Sequence, residues 1–378
     1  MTKSAVLEAC KLKQVIVMSD ELKVCIIGPS PDSIYIGGVA THVKNLKGLD
    51  CLRNADVFDP GSIHSNQKTS ILAIFGKLHD FRRQCKTRSH SCYLLNTSIY
   101  FGSFLKLILV LAFLPGNKKC HVFFHGGRFA KFNLLSAWVI RFFCRFVFRK
   151  VTTFYFLSKE QMAGFASLFP GYPLMLYANY SPFSNLLDRN RLRTANELKL
   201  LFVGRLVKEK GVFELLSAMQ DLAARYPNVK LTIVGEGPVE ALLRHQAKKM
   251  PRDLVSFAGF LSGENLENAY KTADVLVLPT FHPEGFPYVV IEAMRSGLPI
   301  VATNSGALET LVTEGVTGLQ VVARNPESIV SAIEKILENP YLLSEMSKNC
   351  QTYFLKHLSR SAAEAFYTRL VAPIKGGI

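Results

Sequence analysis

The chain reads as an α/β protein built from two doubly wound, parallel-sheet domains. Three observations predict this. Its 378 residues suffice for two domains of ordinary size, each with its own core. Short, nearly continuous apolar runs alternate with amphipathic stretches, the pattern of strands covered on both faces by helices. Many of those runs end in glycine-bearing or polar loops, and ligands of such sheets bind beyond the strand C-termini.

Taken in order, residues 1–17 read as an extension ahead of Met18. The stretch "MTKSAVLEACKLKQVIVMSDELKVCIIG" has too short an apolar part and no cleavage-like end for a signal peptide. An N-terminal domain is placed at 18–180. In it "KVCIIGPS" (23–30) is a strand and "IGGVATHV" (36–43) is a glycine turn opening a helix. "CYLLNTS" (92–98), "HVFFHGG" (121–127) and "TTFYFLS" (152–158) are later strands. "IYFGSFLKLILVLAFLP" (99–115) is interrupted by Lys106 and too short to span a bilayer, so it predicts a buried or interfacial helix. The polar, weakly patterned 181–197 is the expected linker.

The second domain, 198–340, has the clearer rhythm. "LKLLFVG" (198–204), "VKLTIVG" (229–235), "LVSFAGF" (254–260), "ADVLVLP" (273–279), "LPIVAT" (298–303) and "TGLQVV" (317–322) are its strands. "GVFELLSAMQDLAARY" (211–226) and "VEALLRHQAKKM" (239–250) are helices between them. The tail, 341–378, reads as helix that packs back on the first half.

Charge is unevenly spread. Residues 1–180 carry 23 Lys and Arg against 9 Asp and Glu, while 181–378 carry 22 against 20. The N-terminal half therefore expects an anionic partner: nucleic acid, a membrane surface or an acidic substrate. No nucleic-acid-binding module is recognisable. Eight cysteines without a C-x-x-C pair fit a reducing cytoplasm and neither zinc nor a disulfide framework. His121 and His125 are four apart but on a strand and without the H-E-x-x-H glutamate, so no metal site is expected there.

Three stretches carry chemistry. Gly235-Glu236-Gly237 is not G-x-G-x-x-G, so a simple dinucleotide-binding dehydrogenase is poorly supported. In "VGRLVKEKG" (203–211), Arg205 and Lys210 follow a strand end and could clamp a diphosphate, although solvated surface cations are the simpler reading of that stretch alone. In "HPEGFPYVVIEAMRSGLPIVAT" (282–303), Pro287 suits a first helical turn and Gly297 a helix stop. Glu284 then lies in the preceding loop and Glu292 within a mostly apolar helix, where a carboxylate is costly unless hydrogen-bonded. A ribose could supply two hydroxyls there; a cation at the core rim is the alternative partner.

Together, "VGRLVKEKG", "VGEGP", "FAGFLS", "PTFHPEGFPYVVIEAMRSGLPIVAT" and "SGALETLVTEGVTGLQV" resemble glycosyltransferase family 4, over about residues 198–322. "GGVATHV" and "HGG" extend the likeness more thinly into the first half. The resemblance implies a GT-B architecture, two Rossmann-like domains facing a central cleft, with the acceptor side in the first and the donor side in the second. It implies a retaining, metal-independent transferase using a UDP- or GDP-linked sugar as donor substrate and no other cofactor. Arg205 and Lys210 are similar to the pair that neutralises the diphosphate, and Glu292 to the glutamate that holds the ribose. Glu284 resembles the glutamate directed at the transferred sugar, with Gly285 and Phe286 offering backbone N–H groups. Phe260 and Leu261 would lie at the base, Gly38 at the phosphate and His125 beside the transferred sugar. Two departures leave the acceptor side open: Ser305-Gly306-Ala307-Leu308-Glu309 lacks one glycine and the proline of the usual "xPE" segment, and "YANYSPF" retains little beyond Asn179.

"NLLSAWVIRFFCRFVFRK" (133–150) sets Arg141, Arg145 and Arg149 on one helical stripe among Trp138 and several phenylalanines. This fits a helix lying on an anionic bilayer, with a core-packed helix bearing a solvated Arg edge as the alternative. The expectation is thus a cytoplasmic enzyme, peripheral on the inner face of a membrane. It would pass sugar to a glycan or lipid-linked acceptor in polysaccharide or lipopolysaccharide biosynthesis. A non-catalytic scaffold and a glycosidase using Glu284 and Glu292 as paired carboxylates are the competing readings.

Overall fold

A computed structural model describes residues 23–30, 38–61, 71–116, 118–127, 129, 134–187, 197–282 and 284–372, with only the backbone for 38, 71–73 and 134–140. The expected extension, 1–17, lies outside the described residues. The chain forms two compact units, Met1–Pro182 with Arg360–Ile378, and Phe183–Ser359. Each holds one six-stranded sheet in which every paired strand is parallel.

The first sheet runs β2-β1-β3-β4-β5-β6: β1 (Val24–Ile27), β2 (Asp56–Phe58), β3 (Cys92–Ile99), β4 (Lys119–Gly127), β5 (Thr153–Phe156) and β6 (Leu174–Leu176). The order reverses between β1 and β3, which opens a crevice beyond their C-terminal ends, where doubly wound sheets bind ligands. Two side chains show how tightly this crevice is built. A Cβ on Gly28, just past β1, would lie 2.9 Å from Val43 and 3.3 Å from Asn96 within β3. The core is aromatic. Phe124, Phe129, Phe148, Phe154, Phe156 and Phe165 pack together with centroids of 4.6–6.3 Å, each buried ring contributing roughly 1.5–3 kcal/mol.

The predicted apolar helix appears as Phe101–Phe113, with Phe104, Leu107, Val110 and Leu111 buried. Among the described residues no helix is long and apolar enough to cross a membrane. The C-terminal tail divides. The helix Pro340–Tyr353 and the π turn Phe354–Leu358 belong to the second unit, whereas the helix Arg360–Val371 belongs to the first. There Glu364 accepts from the backbone N–H groups of Asp50 and Cys51.

The second sheet runs β12-β11-β10-β7-β8-β9: β7 (Leu198–Val203), β8 (Val229–Val234), β9 (Val255–Gly259), β10 (Val275–Leu278), β11 (Ile300–Thr303) and β12 (Gly318–Val321). All six expected runs are strands, because buried parallel strands are apolar on both faces. The helix Val212–Arg225 buries Val212, Leu215, Leu216, Met219 and Leu222, a stripe with the helical period. Part of the expected linker is anchored to this unit. Buried Arg295 donates to the Asn185 carbonyl (3.0 Å), pairs with Glu267 (2.9 Å) and stacks on Phe183 (3.9 Å). The seven described cysteines are free thiols.

Candidate functional site

In the second sheet the order reverses between β7 and β10, and the loops leaving these two strands carry the candidate site residues. The loop after β7 makes one tight turn at Lys208–Lys210 before the helix Val212–Arg225 begins. The carbonyl of Glu209 in that turn accepts from the N–H of Phe281 (3.0 Å) and the hydroxyl of Thr280 (3.0 Å), which stitches the two loops together. Across this seam Lys210 Nζ donates to Glu284 Oε1 at 2.6 Å, and both side chains are largely buried. Charge-assisted bonds of this length are among the stronger polar contacts. Arg205, from the same loop, is exposed.

Glu284 is held by its backbone as well as by its side chain. It bridges to Gly306, and its carbonyl accepts from the Ala307 N–H at 2.9 Å. Gly306 has φ +63°, and a Cβ there would stand 2.2 Å from the Glu284 carbonyl oxygen. The glycine retained in the otherwise divergent "SGALE" run is therefore the one that the Glu284 loop requires. Gly306→Ala is expected to destabilise the second unit by at least about 2 kcal/mol and to abolish ligand binding there; denaturant unfolding checks it, and an unchanged midpoint contradicts it.

The Gly285-Phe286-Pro287 turn leads into the helix Tyr288–Arg295, with Pro287 as N-cap, one position before the first turn, and Gly297 at φ +66° just past the end. Glu292 sits within this helix. Its Oε2 accepts from the Tyr270 hydroxyl at 2.8 Å. Burial raises the Glu292 carboxyl above its ordinary range, against the Tyr270 hydrogen bond and the nearby Arg295 charge, with Glu267 adding to the rise. The Tyr270 hydroxyl is pushed well above its usual value by burial and by the charge of Glu292. The partner that sequence reasoning allowed at this position, a cation, is instead a phenol; Arg295 pairs with Glu267. Phe260 projects from the end of β9 with 71% of its surface exposed, and Leu261 follows it half-buried.

In the first unit Gly38 opens the helix Gly38–Gly48. His125 stands near the end of β4, with Asn96 Oδ1 at 2.9 Å from its Nε2 and the Tyr177 hydroxyl at 2.8 Å from its Nδ1. The His42 ring lies 4.4 Å away, centroid to centroid, and its Nε2 meets the Tyr367 hydroxyl at 3.2 Å. Burial lowers both imidazoles, His42 to about 3 and His125 well below its ordinary value, with the His42 charge also opposing protonation of His125. The stripe helix is Leu134–Phe148. It turns Cys144, Val147 and Phe148 inward and exposes Phe142 (71%), Phe143 (60%) and Phe146 (72%) beside exposed Arg145 and Arg149; Arg141 is half-buried, and the Trp138 side chain lies outside the described residues.

Sequence reasoning did not name Tyr270, Asn96, Tyr177 or His42, and it named Gly306 only within a divergent run, without a role. Asn96 left a signal, a single amide inside the apolar run "CYLLN". The others did not, because their partners are distant in sequence.

The family model for glycosyl transferases group 1 matches residues 185–353. An uncharacterized glycosyltransferase of Methanocaldococcus jannaschii is 37% identical over 145 residues, which is 38% of this chain and 37% of that protein. The glycogen synthase of Mycobacterium tuberculosis is 36% identical over 143 residues, 38% of this chain and 34% of that protein. The matched segment thus spans little more than a third of these relatives' own length. An Anabaena protein solved in complex with UDP and glucose superposes on 94% of this chain and 100% of its own with a TM-score of 0.66, at 16% identity, a likeness of fold. The architecture is GT-B, and residues 185–353 are similar to the glycosyl transferases group 1 family.

Proposed function

We propose that the protein is a retaining, metal-independent glycosyltransferase of the family 4 type. It takes a sugar from a nucleotide-diphosphate donor, UDP- or GDP-linked, and passes it to a glycan or lipid-linked acceptor. The observation that carries this reading is the pairing of Lys210 with Glu284 at the sheet's switch point, one helix from Glu292. That arrangement suits one donor molecule: cation for diphosphate, one carboxylate for the sugar, another for the ribose. The Anabaena neighbour's UDP and glucose support the choice of donor class.

The chemistry follows from charge. Breaking the anomeric C–O bond builds negative charge on the nucleoside diphosphate and positive character on the sugar. Arg205, Lys210 and the backbone N–H groups of Gly285 and Phe286 stabilise the former. Glu284, released from Lys210, accepts from sugar hydroxyls, and Glu292 from those of the ribose. The acceptor hydroxyl attacks from the leaving-group face, and a donor phosphate oxygen takes its proton, which retains configuration. A screen of nucleotide sugars by thermal shift identifies the donor, since ligand binding to the native state raises its melting temperature. Donor turnover with an acceptor present, unchanged by EDTA, is the expected result. Failure of every UDP- and GDP-sugar to bind contradicts the reading and favours a scaffold.

The exposed Phe142, Phe143 and Phe146 beside Arg145 and Arg149 support a peripheral site on the cytoplasmic face of an anionic membrane, hence a lipid-linked acceptor of polysaccharide or lipopolysaccharide synthesis. Flotation with anionic liposomes is expected to carry the protein in a salt-sensitive manner, and Phe142→Ser with Phe146→Ser to reduce it. Equal recovery with neutral liposomes removes the membrane from the proposal.

A further inference from the structure

His125 uses both of its ring nitrogens inside its own unit, and the partners define which one carries the proton. The Asn96 amide nitrogen donates to the Leu94 carbonyl at 3.2 Å, so its Oδ1 is the atom that faces His125 Nε2 at 2.9 Å. An amide oxygen only accepts, and Nε2 must therefore be the donor. A neutral imidazole has one N–H, which leaves Nδ1 as an acceptor. The Tyr177 hydroxyl, 2.8 Å away, donates to it in preference to the Phe124 carbonyl at 3.4 Å. The orientation of the ring is thus referred back to the β3 backbone on one side and to β6 on the other. Both Asn96 and Tyr177 are buried.

A second layer holds the arrangement in place. His42, fully buried, lies against the His125 ring at 4.4 Å and edge-on to Tyr177 at 6.0 Å. Its Nε2 is bonded to Tyr367 of the C-terminal helix. The ring of His125 is walled in on the face that His42 covers and tied at both nitrogens.

We propose that Asn96 and Tyr177 are positioning residues that hold His125 as its Nε2–H tautomer, so that it acts as a fixed neutral dipole and carries no proton in the reaction. The catalytic meaning of this rests on the glycosyltransferase reading, in which His125 stands beside the transferred sugar. There the sugar gains positive character, and an imidazolium would oppose that charge whereas a neutral ring does not. The tautomer itself is independent of the reading. In catalysis a misoriented or tautomerically mixed ring costs transition-state stabilisation with little effect on donor binding.

The test uses the full chain labelled with ¹⁵N-histidine, with the His125 resonances assigned by their loss in His125→Gln. The wild type is expected to show a protonated Nε2 and a hydrogen-bonded, unprotonated Nδ1 at neutral pH. Tyr177→Phe should keep the tautomer and shift Nδ1 toward the unbonded position. Asn96→Leu should yield a mixture of the two tautomers. With an active donor, each variant should lower kcat about tenfold, the size of effect expected when one hydrogen bond that orients the ring is removed, with the donor KM within about twofold. A wild-type ring protonated at Nδ1 or at both nitrogens overturns the proposal, as does a Tyr177→Phe variant whose Nδ1 resonance does not move. If no nucleotide sugar is turned over, the glycosyltransferase reading fails while the tautomer is still decided by the spectrum.

Discussion

Lys210→Ala is expected to lower sugar transfer at least about tenfold, the effect of losing one charge-assisted contact in the transition state. In the proposed mechanism Lys210 is neither nucleophile nor base; its part there is to neutralise charge that grows as the donor's C–O bond breaks. Near-wild-type turnover by a folded variant would sink the clamp. The ion pair adds a second, less obvious consequence. The Lys210 ammonium is paired with Glu284 at 2.6 Å, so on the proposed reading a diphosphate competes with that carboxylate. Glu284→Gln removes the competing anion while keeping the side-chain shape. It should bind the bare nucleoside diphosphate about three- to tenfold more tightly, yet transfer sugar more slowly, because an amide accepts sugar hydroxyls less well than a carboxylate. Affinity by calorimetry and turnover should therefore move in opposite directions. A Glu284→Gln variant that loses both together would mean that the carboxylate serves the fold of the loop and does not compete for Lys210.

Acidification should unfold the first unit before the second. His42 and His121 are lowered to about 3 and about 4, and His125 well below its ordinary value. In each case burial is the leading cause; a nearby Lys119 adds to it for His121, and Asn179 opposes it for His42. The sign is that of a depressed folded-state pKa. The unfolded chain binds a proton near pH 6.5 and the folded chain does not, so the stability is full above 6.5 and lost as pH falls toward the folded values. Each histidine contributes a slope of roughly 1.4 kcal/mol per pH unit in that window. In the second unit Glu292 is raised, so its contribution has the opposite sign: the folded state takes up the proton more readily, and acid does not remove that stability. Hydrogen exchange at pH 7.5 and 5.5 should show protection falling in β1–β6 and persisting in β7–β12. His121 offers a separate check. Among the described residues neither of its ring nitrogens has a hydrogen-bond partner. His121→Leu should then stabilise the first unit at pH 5.5 by about 1–2 kcal/mol and flatten its pH slope. A slope identical to wild type would show that the unfolding is governed by other groups, such as the Asp56 carboxylate. Burial raises that carboxyl, but the hydrogen bonds from His90 and Arg88 outweigh burial and leave its pKa lowered.

Much of the architecture was legible in the order of residues. The strands from "LKLLFVG" to "TGLQVV" could be read because a parallel strand covered on both sides has no polar face to break the run. The helix 211–226 could be read because its buried stripe repeats with the helical period. The first sheet was read nearly as well at β3, β4 and β5. Its short strands, Asp56–Phe58 and Leu174–Leu176, were not, since three residues carry too little pattern to separate from loop. The point of chain return was also invisible: 341–378 is helical throughout by pattern, and the crossing at Ser359/Arg360 depends on which surface each helix finds.

The site shows the same division more sharply. Sequence by itself determined which residue types stand at the strand ends: two cations after β7, two carboxylates around a Gly-Phe-Pro turn after β10, and a histidine before two glycines at the end of β4. These are local facts, carried by spacing. Tertiary structure alone decided their partners. Lys210 meets Glu284 across 74 positions, Tyr270 meets Glu292 across 22, and His125 draws Asn96 from 29 residues away and Tyr177 from 52. Charge pairing and tautomer choice act over about 3 Å. A linear pattern holds no distance between strands, and only the folded parallel sheets, by setting neighbouring strand ends about 5 Å apart, bring such groups within that range.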